Sequence, residues 1–279
     1  MENAKFSVAM SVYGRDNAAW FDLALGSVIQ QTVRPAEIVL IVDGPVSAEL
    51  DAVIDKYCVR CHETGIRMNL IRFEKNQGLG TALKTAVENA SQDLIARMDS
   101  DDIAVSDRFE RQLAFMAAHS KVHILGGQIE EFIGEPDNPV GKRIVPLTDV
   151  ELKRYMKRRC PFNHMTVMFR KTAVQAAGGY LDWYWNEDYY LWIRMALKKC
   201  TFANLSDTLV HVRVGKDMYR RRGGKQYFKS ETDIQKLMLK NRLISVPRFA
   251  LNVSERLVLQ VLLPNNVRGW IFKTLARQK

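Results

Sequence analysis

The chain has 279 residues, enough for one large α/β domain with an appendage or for two small domains. Its hydrophobic content of 47% is ordinary for a globular protein, but a net charge of +10 indicates a polyanionic partner: nucleic acid, an anionic membrane face or a diphosphate substrate. No run of about 18 apolar residues occurs and the N-terminus lacks a signal-peptide pattern, so we expect a cytoplasmic protein without a transmembrane helix.

Apolar runs alternate with helical periodicity through the first 120 residues. The predicted strands are 6–12, 37–42, 68–73 and 93–98, and the predicted helices are 18–31, 48–61, 76–89 and 107–119. Because the strands are almost continuously apolar, the pattern favours a parallel sheet covered on both faces.

The alternation becomes less regular after residue 120. Strands are expected at 123–132, 161–171 and 207–212, and helices at 146–158 and from 186 onward. Residues 213–248 are rich in Lys and Arg. Residues 249–279 have an amphipathic pattern with interleaved cations, which suits a helix on an anionic membrane surface, a helix that forms a homodimer, or one that covers the core.

The four cysteines, at 58, 61, 160 and 200, include one CxxC pair. Structural zinc requires four ligands, and no second pair accompanies Cys58 and Cys61. We therefore expect free thiols, as in a reducing compartment.

The acidic stretch Asp99-Ser100-Asp101-Asp102 directly follows the fourth predicted strand. Carboxylates this close repel one another unless a cation lies among them, and hard divalent ions bind such oxygens and bridge to phosphates. The carboxyl end of a parallel strand is also where open α/β sheets bind ligands. The motif therefore predicts a metal-assisted site for a phosphorylated substrate, while an acidic turn that caps the helix after Asp107 is the alternative.

The order of the motifs resembles that of family 2 glycosyltransferases, over residues 5 to 235. The motifs are SVAMSVYGRD, PAEIVLIVDG, NQGLGTALKTAVENA, ARMDSDDIAVSDRFERQ, a GGY turn and NEDYYLWIRM. The resemblance implies an α/β protein of GT-A fold: a Rossmann-like mixed, mainly parallel sheet with helices on both faces, plus a C-terminal helical extension. It implies a nucleotide-sugar-binding half at 1–120, an acceptor-binding half at 121–235, and amphipathic basic helices at 236–279.

The resemblance is closest to bacterial enzymes that build surface polysaccharides of the amylovoran or O-antigen type. It implies inverting, metal-dependent transfer of a hexose from a nucleotide sugar, a UDP-sugar, to a saccharide on undecaprenyl diphosphate. The implied cofactor is Mn²⁺ or Mg²⁺, and the implied location is peripheral, at the cytoplasmic face of the inner membrane.

Two other functions fit parts of the sequence. A nucleotidyltransferase also combines such a sheet with a divalent metal, but it needs a lysine-rich Gly loop after the first strand, which Gly14-Arg15-Asp16 matches poorly. A nucleic-acid-binding protein fits the positive charge, but the acidic strand ends would repel phosphates in the absence of metal.

The resemblance also assigns donor and metal residues. Asp99 and Asp101 match the metal-binding DxD motif, and His211 is a third candidate ligand. Asp43 is the candidate contact of the uridine, and Tyr13 could stack on the base. The remaining donor-site candidates are Asp16, Asn76, Gly78, Arg97, Arg213 and Arg220.

Some of these residues have a physical rationale and a structural alternative. Asn76 to Gly80 opens a helix, where free N–H groups attract anions, although Asn and Gly also serve as ordinary caps. Arg213 and Arg220 belong to a basic segment whose guanidinium groups could grip phosphates, or which is simply a solvated charge run.

The catalytic candidates are Asp188 and Glu187. An inverting transfer needs a base that takes the proton of the acceptor hydroxyl, and we assign this role to Asp188 with Glu187 as its alternative. Two acidic residues at a helix start would also be explained by the helix dipole.

The candidate acceptor residues are His164, Trp185 and Trp192. The tryptophans belong to an aromatic cluster that fits a sugar-binding wall, although aromatic residues are also common in cores. A buried structural role is the alternative for His164.

Overall fold

The computed structural model describes residues 5–215 and 223–263. The strands in this part of the chain are β1 (Phe6–Tyr13), β2 (Glu37–Asp43), β3 (Arg67–Arg72), β4 (Leu94–Arg97), β5 (Ile103–Ala104), β6 (Val122–Phe132), β7 (Pro139–Arg143), β8 (Met168–Arg170) and β9 (Thr201–Arg213). The helices are α1 (Ala18–Ile29), α2 (Ala48–Glu63), α3 (Leu79–Asn89), α4 (Arg108–Ala118), α5 (Asp149–Met156), α6 (Lys171–Ala176), α7 (Glu187–Leu197), α8 (Lys225–Lys240) and α9 (Val246–Leu257).

The first four strands form a parallel block in the order β3-β2-β1-β4. The chain moves outward from β1 to β3 and then returns to β4 on the other side of β1. Ligands of open α/β sheets bind where the strand order reverses in this way, outside the carboxyl ends of the strands. The loops after β1 and β4 therefore meet at the place where a site is expected.

The second half of the chain extends the same sheet. β8 pairs with β4 in antiparallel orientation, β6 follows β8, and β9 lies parallel to β6 with β5 at the far edge. The short β7 pairs with β6. The prediction of a mixed α/β sheet with a C-terminal helical extension is confirmed, because α8 and α9 follow the last strand of the described chain.

Two apolar layers cover the sheet. Along β1 and β2 the side chains alternate between the layers: Met10 and Leu40 join α1, α2 and α4, whereas Ala9 and Val39 join α3, α5 and α7. This alternation follows from the two-residue period of a strand. The nearly continuous apolar sequence is therefore explained by burial on both faces.

Some predicted elements differ from the structure. The strand expected at 161–171 is confined to β8, because residues 163–166 form a 3₁₀ turn in which the Thr166 N–H donates to the Asn163 carbonyl over 2.9 Å. The strand expected at 207–212 is part of the longer β9, since pairing with β6 extends along most of its length. The predicted boundary at 235 falls inside α8.

All four cysteines are free thiols. No helix among the described residues combines the length and apolar character needed to cross a bilayer. Arg220 and residues 264–279 of the predicted amphipathic segment lie outside the described residues.

Candidate active site

Three carboxylates gather immediately after β4. One carboxylate oxygen from each of Asp99, Asp101 and Asp102 lies within 4.8 Å of the other two. Among residues 5–215 and 223–263, these three side chains form the cluster that could bind a metal ion. The group stands at the carboxyl end of β4, beside the loop that follows β1. The prediction that the acidic motif follows the carboxyl end of a strand is confirmed.

Each of the three carboxylates has a different environment. Asp99 forms a two-oxygen ion pair with the buried guanidinium of Arg97, in which Nη1 donates to Oδ2 over 2.5 Å. Asp102 is buried, and its Oδ1 accepts the backbone N–H of Arg213 over 2.9 Å. Burial, followed by the charge of Asp99, raises the pKa of Asp101 to about 6.

The residues present fit a divalent cation. The donor set consists of carboxylate oxygens, which Mg²⁺ and Mn²⁺ prefer. Burial and the neighbouring carboxylates raise the pKa of Asp102 as well as that of Asp101, because one guanidinium does not balance three negative charges. A cation at this place would relieve that repulsion.

His211 does not join the acidic group, contrary to its assignment as a third ligand. It lies on β9, and its Nδ1 faces the carboxylate of Glu130 at 3.3 Å. The pairing of β9 with β5 and β6 fixes this position, with His211 opposite Ile103 on one side and Glu130 on the other.

Asp16 connects the loop after β1 to the acidic motif. Its Oδ2 accepts the Tyr13 N–H over 3.1 Å and the Ser100 hydroxyl over 2.8 Å. The Tyr13 ring is 38% exposed beside this connection. The structure thus brings two donor-site candidates of the first loop next to the aspartates.

Asp43 organises the loop before α3. Its carboxylate accepts the N–H groups of Gln77 over 2.6 Å and Gly78 over 2.9 Å, together with the Asn76 side-chain amide over 3.0 Å. Two of the N–H groups between Asn76 and Gly80 are therefore not free for a phosphate. Asp43 acts as the anion at this helix start and is itself almost fully buried.

A second acidic pair opens α7. The Asp188 carboxylate accepts two hydrogen bonds. The backbone N–H of Tyr189 donates to its Oδ1 over 2.6 Å, and the Cys160 thiol donates to its Oδ2 over 3.3 Å. Burial raises the pKa of Asp188, and burial with the charge of Asp188 raises the pKa of Glu187 to about 7. A carboxylate held in this way, with an elevated pKa, suits the abstraction of a hydroxyl proton.

The charge of Arg97 acts on both acidic groups. Besides pairing with Asp99, its charge opposes the rise in pKa that burial causes at Asp101, Glu187 and Asp188. Asp99 in turn contributes to the raised pKa of Glu187. The two carboxylate groups therefore belong to one electrostatic site.

The aromatic candidates separate into buried and exposed residues. Trp192 is fully buried against Phe162, so its assignment to an acceptor wall is wrong. The α7 register explains this, because Trp192 lies on the face that packs on the sheet layer. Trp185 is 51% exposed and precedes the acidic pair by two residues, with φ of 56°.

His164 is half-buried and contacts Tyr180, and its acceptor role stays a prediction. Its Nε2 lies 2.9 Å from the Tyr180 hydroxyl, and burial with the nearby charge of Arg97 lowers its pKa well below the ordinary value. The imidazole is therefore neutral at physiological pH.

The backbone N–H of Arg213 contacts Asp102, but the Arg213 side chain makes its contacts elsewhere. Its guanidinium lies over the rings of Trp20 and Phe132, at 4.7 and 4.6 Å from their centroids, and donates to the Gly134 carbonyl. The donor role predicted for this guanidinium does not agree with these contacts. What Arg213 supplies to the site is its N–H to Asp102.

Two supporting residues were not found from the sequence. Cys160 was assigned only as a free thiol, and Arg108 was not considered. Arg108 is fully buried at the start of α4, and its Nη2 donates to the Arg97 carbonyl over 2.8 Å. The spacing of Arg108 and Gln112, one turn apart beside the apolar stripe of α4, was the available signal.

With this geometry in place, comparison with known proteins identifies the class. The family model described as glycosyl transferase family 2 matches residues 7–176. The chain belongs to this family and is a glycosyltransferase.

Relatives match along nearly the whole chain. The UDP-Gal:α-D-GlcNAc-diphosphoundecaprenol β-1,3-galactosyltransferase of Escherichia coli is 37% identical over 99% of this chain and 98% of its own length. The amylovoran biosynthesis glycosyltransferase AmsE of Erwinia amylovora is 38% identical over 84% of this chain and 85% of its own.

Solved structures show the same GT-A fold. Staphylococcus aureus TarS residues 1–349, in complex with UDP-GlcNAc, superimposes with a TM-score of 0.63 at 18% identity, covering 91% of this chain and 72% of the other. The mannosyltransferase PcManGT of Pyrobaculum calidifontis, with GDP-Man and Mn²⁺, gives 0.64 at 14% identity, covering 95% and 71%.

Proposed function

We propose that this glycosyltransferase transfers a hexose from a UDP-sugar, with inversion, to a saccharide carried on undecaprenyl diphosphate, in the synthesis of a bacterial surface polysaccharide. The observation that carries the proposal is the pair of acidic groups, one after β4 and one at the start of α7, that share the charge of Arg97. One group suits a metal-bound diphosphate and the other suits a general base. The names of the Escherichia coli and Erwinia relatives support the acceptor and the polymer.

Asp188 is the general base in this proposal. Its carboxylate takes the proton of the acceptor hydroxyl as that oxygen attacks the anomeric carbon from the face opposite the diphosphate. The Cys160 thiol and the Tyr189 N–H hold the carboxylate in place. A single displacement of this kind inverts the configuration at the anomeric carbon.

Asp99 and Asp101 are the proposed ligands of Mn²⁺ or Mg²⁺, with Asp102 behind them. A cation bound there would offset the negative charge on the departing nucleoside diphosphate. Arg97 holds Asp99 in a fixed orientation, and the Arg213 N–H does the same for Asp102.

The nucleoside of the donor is proposed to lie over the loops after β1 and β2. Tyr13 is exposed there and can stack on the base, while Asp16 and the loop organised by Asp43 form the surroundings. The complex of TarS with UDP-GlcNAc supports a uridine nucleotide in this fold.

The acceptor sugar is proposed to contact the exposed rings that precede α7. Tyr184 and Trp185 are 42% and 51% exposed, directly before the acidic pair. An acceptor on a lipid diphosphate and a nucleotide-sugar donor place the reaction at the cytoplasmic face of a membrane.

The test is transfer from a panel of nucleotide sugars to a synthetic GlcNAc-diphosphate lipid, with and without chelator. We expect a UDP-hexose to be used, the product to carry the inverted anomer by NMR, and chelator to abolish turnover. Retained configuration, or transfer unaffected by chelator, would contradict the proposal.

Asp188→Asn serves as the inactive control, and Asp55→Asn, an exposed carboxylate on α2, serves as the matched active control. A variant pair with equal turnover would show that Asp188 is not the base.

A further inference from the structure

Helix α9 packs Phe249 against the core, but it also buries polar side chains and leaves several large aliphatic side chains exposed. Asn252 and Arg256 are buried, as is Gln260 on the helical turn that follows. These three residues lie four positions apart and so form one face. A helix on the surface of a soluble domain normally buries its apolar face instead.

The inward face is held by polar contacts. Arg256 pairs with Glu231 of α8 over 2.5 Å and donates to the Arg158 carbonyl over 2.7 Å. Asn252 donates to Gln235 of α8 and to the Lys157 carbonyl, both over 2.7 Å. The orientation of α9 is therefore fixed by its buried polar groups, because leaving them unpaired would be costly.

The outward face carries large aliphatic side chains in contact with solvent. Their exposed fractions are Val246 66%, Leu251 48%, Leu257 39%, Val258 45% and Leu262 65%. We call these five residues the outer apolar face. Several large aliphatic side chains exposed on one side of a helix indicate an interaction site.

Exposed cations lie next to α9. Arg154, Lys157, Arg158 and Arg159, at the end of α5 and just after it, are exposed, and we call them the basic rim. The rim is joined to α9 by the contacts of its carbonyls with Asn252 and Arg256, and by an Arg158–Glu255 ion pair of 3.3 Å. The exposed Arg248 of α9 itself adds to the positive charge.

We propose that the outer apolar face of α9 and the basic rim form one surface that lies on an anionic lipid bilayer. Aliphatic side chains that enter the acyl boundary, bordered by cations that meet anionic headgroups, are the chemistry of an interfacial helix. A second copy of the chain is disfavoured, because two identical rims would bring like charges together.

The surface is connected to the catalytic groups through the chain. The basic rim runs directly into Cys160, whose thiol contacts Asp188. Docking on a bilayer therefore places the base near the membrane in which a lipid-linked acceptor is held. This part of the inference rests on the proposed function, whereas the lipid contact itself rests on α9.

The experiment measures sedimentation of the full chain with vesicles, in the absence of any substrate. Vesicles of equal parts phosphatidylcholine and phosphatidylglycerol are compared with vesicles of phosphatidylcholine alone. We expect binding to the anionic vesicles that weakens with salt, and an L251D/L262D double variant whose partition coefficient falls by about tenfold or more. The K157Q/R159Q double variant should lose the preference for phosphatidylglycerol.

Matched controls use exposed residues elsewhere. Val59→Asp on α2, where Val59 is 59% exposed, places an acidic group at an exposed apolar position of another helix, and K121Q/K198Q removes two exposed cations. Both controls should bind vesicles as the unaltered protein does. Thermal unfolding and light scattering of each variant accompany the binding assay.

The proposal is overturned if the unaltered protein does not sediment with anionic vesicles, or if L251D/L262D binds as well as the Val59→Asp control. It is also overturned if the L251D/L262D change only converts a dimer to a monomer. Vesicle binding with no sugar transfer would reject the proposed function but support the docking surface. L251D/L262D should still act on a short-chain, water-soluble acceptor, which separates the two proposals.

Discussion

The two acidic groups of the site are built from the same residue types and yet differ in their surroundings. Asp99, Asp101 and Asp102 follow a strand and crowd within 4.8 Å, with one guanidinium to balance three carboxylates. Glu187 and Asp188 begin a helix, and Asp188 accepts hydrogen bonds from a thiol and an N–H. The number of carboxylates and their hydrogen-bond donors, rather than residue type, therefore distinguish a cation site from a proton acceptor.

The largest effect is expected at the first group. Asp101→Asn removes a proposed metal ligand, and we expect turnover to fall on the order of a thousandfold. The same change should raise the melting temperature in chelator, because it relieves the repulsion among the carboxylates, and should abolish the upward shift of that temperature by Mn²⁺.

Differential scanning fluorimetry with and without Mn²⁺ measures both effects, with Asp55→Asn as the control. If Mn²⁺ raised the melting temperature of Asp101→Asn as much as that of the unaltered protein, Asp101 would not be a ligand of the cation.

The second group should respond to substitution without a change in donor binding. Asp188→Asn is expected to lower kcat by at least about a hundredfold, since it removes the general base, while the Kd for UDP stays unchanged. Glu187→Gln should cost less than about tenfold.

Steady-state kinetics and calorimetric titration with UDP measure these changes. If Glu187→Gln were the more damaging change, the roles within the pair would have to be exchanged.

Arg97 tests whether the two groups are coupled. Arg97→Met leaves Asp99 without its partner, and we expect a loss of stability of about 3 kcal/mol, because one member of a largely buried ion pair is removed. The acid limb of the kcat–pH profile should also move to higher pH, since the charge that opposes the raised pKa of Asp188 is gone.

Urea denaturation measures the loss, with Lys56→Met as the control. The Lys56–Asp22 pair is exposed, with 48% and 35% of its side chains accessible, so its loss should cost less than about 1 kcal/mol. Equal losses for the two variants would contradict the importance of the Arg97 pair.

Glu187 gives a pH dependence of stability. Its pKa is about 7 in the folded protein, against an ordinary value of 4.5, so the folded state binds this proton more tightly than the unfolded state does. The stabilisation by the protonated carboxyl is complete below pH 4.5 and is lost as pH rises through 7. In chelator, Glu187→Gln should therefore lose less stability than the unaltered protein between these pH values.

Thermal melts across this window, compared with Glu74→Gln at an exposed position, measure the difference. Parallel curves for Glu187→Gln and the unaltered protein would show that Glu187 does not hold this proton.

The smallest effect is expected at Cys160. Cys160→Ala removes the donor to Asp188, so the pKa of Asp188 should rise further and kcat at neutral pH should fall by about threefold. Cys160→Ser, which keeps a donor, should restore the profile. The measurement is the kcat–pH profile, and a Ser variant as impaired as the Ala variant would argue for packing alone.

The sequence predicted the parallel block well because its signals are local. Continuous apolar runs, such as residues 37–42, can be accommodated only between two apolar layers, and Asp99 to Asp102 had to lie at a strand end. The second half was predicted less well, since β8 and β9 are defined by their partners β4 and β6, and those pairings join residues far apart in the chain.

The predictions for individual site residues were wrong where the side chain makes its contacts with another element of the fold. Trp192 is an aromatic residue of the kind that lines sugar-binding sites, but the packing of α7 buries it. Arg213 has the charge for a diphosphate, but Trp20 and Phe132 hold its guanidinium. Asp43 accepts hydrogen bonds from two of the amides, those of Gln77 and Gly78, that were expected to be free for a phosphate.

The sequence by itself determined the family, the alternating strands and helices of the first half, and the order in which the acidic motifs follow their elements. These follow from local periodicity and from motifs whose spacing is short. Only the tertiary structure shows that the charge of Arg97 acts on both acidic groups, that Cys160 contacts Asp188, and that α9 exposes large aliphatic side chains while it buries Asn252 and Arg256. Each of these depends on contacts between distant segments, and only the packed chain brings such segments together.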